Sequence, residues 1–274
     1  MSAGETQFIM VGDGARQRRI ACLSSPAAEP GGAGVLWLIG LKSDMRSTKA
    51  CALADWTHAR GLGFTRFDYS GHGESGGSFE DATLSDWLLE AEEVFTHLTT
   101  GPQIIAGSST GGHVALLLIR RLLRERPAEA SRVKGLVLIA PAWDLTEELM
   151  WKKFPEEARR AVMETGRWVR PSAYDAGGYA ITKRFIEDGR LHLFAEHPAG
   201  ERFNPGRPIA VLQGAQDKDV PIEHALRLRD VLDGDWLEFT IVADGEHRLS
   251  RPEDLDKLYA LIERQISAGP GLPG

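Results

Sequence analysis

Three residues follow one another along the chain in an order that can carry acyl transfer: Ser109 in GSSTG (107–111), Asp217 in AQDKDVP (215–221) and His247 in GEHRLS (245–250). A serine hydroxyl is a weak nucleophile near neutral pH. It needs a histidine to take its proton and a carboxylate to orient the imidazole and stabilise the imidazolium. Gly107, Ser109 and Gly111 fit G-x-S-x-G, in which a sharp strand-to-helix turn exposes the central serine and small neighbours let backbone pack closely. Ser108 fits less well, because its flanking positions become Ala106 and Thr110, and a β-branched residue suits the tight position poorly. The pattern is common by composition alone; its place between the apolar run of PQIIAG and the apolar run HVALLL gives it weight.

The elements around these residues alternate. QFIMVG and RRIACLSS flank the turn-forming GDGARQ and predict a hairpin. Strands are expected at 34–40, 63–70, in IIAGS, at 133–142, in PIAVLQG and in WLEFTIVAD. Helices are expected at 48–61, 84–98, 111–125, from near Pro221 and at 252–266. Such alternation predicts an α/β fold, a mostly parallel central sheet with helices on both faces. From Trp143 to about Pro205 the rhythm breaks into a helical, aromatic stretch without a convincing strand, including Trp151, Phe154, Trp168, Tyr174, Tyr179, Phe185 and Phe194. Residues 143–205 are therefore expected to form a helical cap inserted between core segments 1–142 and 206–274. The Gly/Pro tail AGPGLPG is expected to fray.

Asp217 and His247 fall just past expected strand ends, on the edge where open α/β sheets place ligands. Asp219 competes with Asp217 for the acid, and the bland reading of either is a solvated turn carboxylate. Five other histidines, His58, His97, His113, His197 and His224, precede the acid or fall in helices or the cap, which suits solvated or packing roles. Charge developing on a tetrahedral intermediate needs donors, here the backbone N–H of Thr110 and that of Leu41 after GVLWLIG. No H-E-x-x-H or similar spacing points to a metal, and no cofactor is expected.

Composition narrows the class. A net charge of -7 argues against a nucleic-acid surface, and the short RRLLRER run does not overturn it. No apolar run reaches bilayer length, so no membrane span is expected. Cys22 and Cys51 lack metal or redox spacing and are expected to be buried free thiols in a reducing compartment. MSAGETQFIM has neither the character of a signal peptide nor that of a transit peptide, which predicts a cytoplasmic protein.

The element order and the Ser109, Asp217, His247 series resemble the α/β-hydrolase superfamily. FDYSGHGES (67–75), GPQIIAGSSTGG (101–112), WVRPSAY (168–174) and EHRLS (246–250) are similar to its mitochondrial acyl-protein thioesterase, or depalmitoylase, and acyl-glucuronide esterase branch, over roughly 34–265. The resemblance implies a serine esterase or thioesterase working through an acyl-enzyme, with Ser109 as nucleophile, His247 as base then acid, and Asp217 orienting it. Three positions depart from it. The mitochondrial address is missing, Glu246 stands where the branch tends to carry Asp, and Ile39 replaces a His often found before the oxyanion-loop glycine.

Trp143, Met150, Trp151 and Trp168 could line an apolar acyl site, or simply seal the cap onto the sheet. Arg170 and Arg248 could meet an anionic substrate, although surface charge is the commoner role. Asp68, Gly71, His72, Gly73 and Ser75 lack a phosphate-loop Lys and read as a shaping turn beside the site. The expected substrate is a small molecule or an acylated protein. Alternatives on the same fold are a lipase-like or carbon–carbon bond hydrolase, or a non-catalytic small-molecule receptor.

Overall fold

A computed structural model describes residues 5–171, 177–195 and 202–267. Tyr174, His197, the end of WVRPSAY and the Gly/Pro tail lie outside them. Strands β1 (Gln7–Val11), β2 (Arg18–Ser25) and β3 (Gly34–Leu38) lead to helix α1 (Thr48–His58) and strand β4 (Gly63–Phe67). Next come α2 (Leu84–Leu98), β5 (Gln103–Ser108), α3 (Thr110–Glu125), the short α4 (Pro127–Ala130) and β6 (Val133–Ile139). The expected strands and helices of this half are present, and α2 is started by a capping box between Thr83 and Asp86.

After β6 the chain makes a π-helical turn (Leu145–Met150), then α5 (Glu156–Thr165), β7 (Arg167–Arg170), β8 (Tyr179–Thr182) and α6 (Lys183–Gly189). This corrects the strandless expectation: β7 and β8 pair antiparallel from Arg167↔Thr182 to Arg170↔Tyr179. RWVR and YAIT are short but β-prone, and the pairing supplies the order that four residues alone cannot hold. The chain returns through β9 (Ile209–Gly214), the broken helix α7 (Ile222–Leu226) and α8 (Leu228–Val231), β10 (Leu237–Val242) and α9 (Pro252–Ser267).

The eight long-range strands form one sheet in the order β1-β2-β4-β3-β5-β6-β9-β10. The β1–β2 and β2–β4 pairs are antiparallel, and every later pair is parallel. From β3 the chain crosses left to β4, then returns past β3 to β5 and proceeds right to β6. Right-handed crossovers therefore place α1 on one face and α2 with α3 on the other. Trp56 of α1 stacks on Tyr259 of α9 at 5.0 Å, so α9 shares the face of α1. The central strands are buried on both faces, which explains their unbroken apolar runs. The reversal between β3 and β5 opens a crevice beyond their carboxyl ends.

The cysteines divide. Cys22 is buried, and burial pushes its thiol up to about 12, whereas Cys51 is exposed, contrary to expectation. Helical spacing explains the difference: Ala50 and Leu53 of α1 face the core, and Cys51 between them turns outward.

Candidate active site

The turn from β5 into α3 is tight because two glycines permit it. A Cβ on Gly107 would stand 2.3 Å from the Gly111 carbonyl oxygen, and one on Gly111 would stand 2.2 Å from that of Leu38. Between them Ser109 has φ 54 and ψ -116, a conformation rare for a side-chain-bearing residue. Its backbone is held from several sides: its N–H donates to the Ile139 carbonyl at 2.8 Å, and its carbonyl accepts from Gly112 and Ala142. The strain is thus fixed by neighbouring strand and helix, and the Ser109 side chain stands half-exposed in the crevice.

Two loops from distant parts of the chain meet opposite it. The loop after β9 is tied to the loop after β10 by Gln216 N–H to the Gly245 carbonyl at 2.9 Å and Ala215 N–H to the Val242 carbonyl at 2.9 Å. Asp217 Oδ2 accepts from His247 Nδ1 at 2.8 Å, and His247 Nε2 lies 3.1 Å from Ser109 Oγ. The Nδ1–H bond fixes the imidazole tautomer and leaves Nε2 to accept the serine proton. Asp217 Oδ1 accepts from the N–H groups of Asp219 and Val220 at 2.9 and 2.8 Å. Asp219 lines the crevice.

One contributor was invisible in the sequence. Gln213, fully buried at the end of β9, donates through Nε2 to the Gly214 and Val220 carbonyls at 3.0 Å each and to Asp217 Oδ2 at 3.3 Å. A polar residue inside the apolar run PIAVLQG was the only available signal, since a buried amide must find partners.

The N–H groups of Leu41 and Thr110 both belong to residues lining the crevice. Thr110 opens α3, where a first-turn N–H has no partner within the helix. Beside Leu41, the Lys42 N–H donates to His72 Nε2 at 3.1 Å, while His72 Nδ1 donates to the Ser70 carbonyl at 3.2 Å. Burial holds the His72 imidazole down to about 4, so it stays neutral and keeps Nε2 as an acceptor. Asp68 shapes the same turn by accepting from Met45 and Glu74 N–H groups at 2.6 and 2.8 Å. The stretch read as a shaping turn thus grips the loop carrying Leu41.

The crevice encloses about 940 Å³. Of the four residues expected to line it, only Met150 does so, joined by Ala142, Leu145, Leu149 and Val220. Trp143 is instead fully buried, stacked on His224 at 4.7 Å with its Nε1–H on the His224 carbonyl. Trp151 lies between Arg159 and Arg190, and Trp168 packs on Phe154 at 5.0 Å. Trp151 and Trp168 find cation and aromatic partners within the insertion and Trp143 finds His224 beyond it, so smaller apolar side chains of the β6 exit are left to form the wall. Arg170 and Arg248 do line the crevice. Glu246 is exposed on the His247 loop.

Of the histidines set aside, His58 and His97 are exposed, and His113 and His224 are buried packing groups held by burial down to about 3 and about 4. Asp217, Asp219 and His247 bring potential metal-ligand atoms within 4.8 Å of one another. Four N–H donors already occupy the two Asp217 oxygens, an arrangement suited to orienting an imidazole.

A mostly parallel eight-stranded sheet, helices on both faces and a polar crevice at the β3/β5 reversal define an α/β hydrolase. Residues 35–199, more than half of the chain, match the family described as serine aminopeptidase, S33, and the chain belongs to that family. It is 30% identical over 234 residues to the mitochondrial palmitoyl-protein thioesterase ABHD10 of Pongo abelii, covering 85% of this chain and 72% of the relative. Among solved structures, alpha/beta hydrolase domain-containing protein 10 from mouse superposes with a TM-score of 0.79 at 26% identity, covering 96% of this chain and 98% of its own. A protein from Agrobacterium vitis S4, described as a hydrolase, superposes with a TM-score of 0.90 at 40% identity, covering 96% and 99%. The protein is a hydrolase acting on ester or thioester bonds. No helix among the described residues is long and apolar enough to cross a membrane.

Proposed function

We propose that the protein hydrolyses carboxylic esters or thioesters of acyl groups through a Ser109–His247–Asp217 triad and an acyl-enzyme intermediate. The observation that carries this reading is the continuous relay from Ser109 Oγ through His247 to Asp217 Oδ2, at 3.1 and 2.8 Å. Ser109 Oγ attacks the acyl carbon while its proton passes to His247 Nε2, and the N–H groups of Leu41 and Thr110 receive the developing oxyanion. As the bond to the leaving oxygen or sulfur breaks, His247 returns the proton to that atom. A water then attacks the acyl-enzyme, gives a proton to Nε2, and the acid departs as Ser109 regains its hydrogen.

The apolar wall of Ala142, Leu145, Leu149, Met150 and Val220 supports an acyl chain on that side. The insertion at 143–205 supplies Leu145, Leu149, Met150 and Arg170 and acts as the cap over the acyl site. Likeness to palmitoyl-protein thioesterases supports acyl thioesters, on small molecules or proteins, among the substrates. The test is turnover of p-nitrophenyl esters of graded chain length and of a palmitoyl thioester by wild type and by Ser109→Ala and His247→Ala. Losses on the order of a thousandfold or more in kcat are expected in each variant. A loss of only a few-fold in either would overturn the triad.

A further inference from the structure

The crevice is electrostatically lopsided. Lys42, Lys49, Arg170, Lys218 and Arg248 line it against a single carboxylate, Asp219, in a chain whose net charge is -7. Concentrating one sign in the concave part of an oppositely charged protein focuses potential where substrate enters. Lys49 sharpens the point: its Nζ donates to the Arg248 carbonyl and to Ser250 Oγ at 3.3 Å, which places its charge beside the His247 loop. Burial first and the nearby Arg248 charge second hold the Lys49 ammonium down to about 8 against the opposing pull of Asp254, so Lys49 and Arg248 repel one another. An anion among them would relieve the crowding.

Two further features favour a polar ligand in the crevice. Helix α1 presents its N-terminus to the crevice through Ser47 and Thr48, and the Ser47 hydroxyl makes no capping bond. Trp37 Nε1 and Thr110 Oγ1, both in residues about 1% exposed that line the crevice, have no hydrogen-bond partner. Buried polar atoms in such a place call for a ligand group or an ordered water.

Resting on the triad reading above, we propose that the leaving group is a short alcohol or thiol bearing a phosphomonoester, bound between the α1 N-terminus, Lys42, Lys49 and Arg248. The side follows from the chemistry, since His247 must hand its proton to the leaving atom and Lys49 and Arg248 adjoin the His247 loop. The acyl chain then lies along the apolar wall. The leaving group is short because Arg248 and Lys42 directly follow His247 and Leu41 in the chain and line the same crevice as Ser109. A doubly charged group, rather than a single carboxylate, suits several cations and a helix N-terminus together. Only the acyl–oxygen or acyl–sulfur bond breaks, and the released alcohol or thiol keeps its phosphate.

The experiment compares kcat/KM of the wild type for 1-acylglycerol and 1-acylglycerol 3-phosphate carrying the same medium-chain acyl group, which differ only in the phosphate. An acyl glucuronide and its methyl ester form a second pair that differs only in a carboxylate charge. A preference for the phosphate of about tenfold or more, exceeding that for the carboxylate, is expected. The ratio should fall towards one in Lys42→Gln/Arg248→Gln, and in the wild type as ionic strength rises from about 0.05 to 0.5 M. Equal turnover of the phosphate pair, or an equal or larger gain from the carboxylate, overturns the proposal while leaving the triad standing. No turnover of any arm overturns both.

Discussion

Gln213 Nε2 shares Asp217 Oδ2 with the His247 N–H, at 3.3 Å against 2.8 Å. A second donor on that oxygen draws charge away from the His247 contact and fixes the carboxylate plane, so Gln213 is a positioning residue for the relay. In Gln213→Met the carboxylate loses this donor and holds the imidazole less firmly, so kcat is expected to fall about tenfold with KM little changed. A purely structural glutamine would lower stability and leave kcat of the folded enzyme unchanged.

The Gly111 contact gives a stability prediction. In Gly111→Ala the new methyl meets the Leu38 carbonyl at 2.2 Å, and both atoms belong to the packed junction of β3 with α3. The junction must open, and the variant is expected to lose roughly 1–3 kcal/mol in urea unfolding, with kcat lowered because the Thr110 N–H moves with it. Stability within about 0.5 kcal/mol of wild type would contradict the close packing.

His72 acts through Lys42. Its neutral Nε2 anchors the turn that carries Leu41, and burial keeps it uncharged down to about 4. His72→Leu removes the acceptor, frees that turn and is expected to lower kcat by about tenfold or more while KM changes little. Because a group titrating near 4 is silent above pH 5, the wild-type profile should carry no step from His72 between pH 5 and 8. A large rise in KM with kcat unchanged would assign the residue to ground-state binding instead.

The sequence made the core legible because its signals are local. Apolar runs ending at glycine or followed closely by proline marked β3, β5, β6 and β9, and the G-x-S-x-G turn rested on steric demands that backbone alone imposes. The series Ser109, Asp217, His247 is brought within hydrogen-bond reach, with His247 Nε2 3.1 Å from Ser109 Oγ and Nδ1 2.8 Å from Asp217 Oδ2. What failed were statements about where a side chain points across long sequence separations. Trp143 has the composition of a pocket residue, yet its ring finds His224, 81 positions later, and turns into the core. Trp151 likewise finds Arg159 and Arg190. The β7–β8 pair escaped because each strand has only four residues, too few for alternation to register. Gln213 escaped differently: its partners lie in the loop that follows, and its one local signal was a polar residue inside an apolar run.

Asp144 governs how the insertion is held at its two ends. It sits in a left-handed conformation just after β6, fully buried, and its carboxyl accepts from the N–H groups of Phe194 at 2.9 and 3.0 Å and of Ala195 at 2.9 Å. The start of the insertion is thereby tied to its return. Burial outweighs these bonds and raises the Asp144 carboxyl from its ordinary 3.8 to about 6; His113, 3.7 Å away, is itself held neutral down to about 3. Between pH 4 and 6 the folded protein therefore binds a proton that the unfolded chain has released. This group's contribution is largest below pH 4 and is lost as pH rises through 6, a swing on the order of 3 kcal/mol. Asp144→Asn keeps an acceptor oxygen for the two N–H groups and removes the charge. Its unfolding free energy should match wild type near pH 4 and exceed it at pH 7, which urea titrations at both values would measure. A variant less stable than wild type at pH 7 would mean that the ionised carboxylate, not the neutral acid, is what the fold prefers at this position.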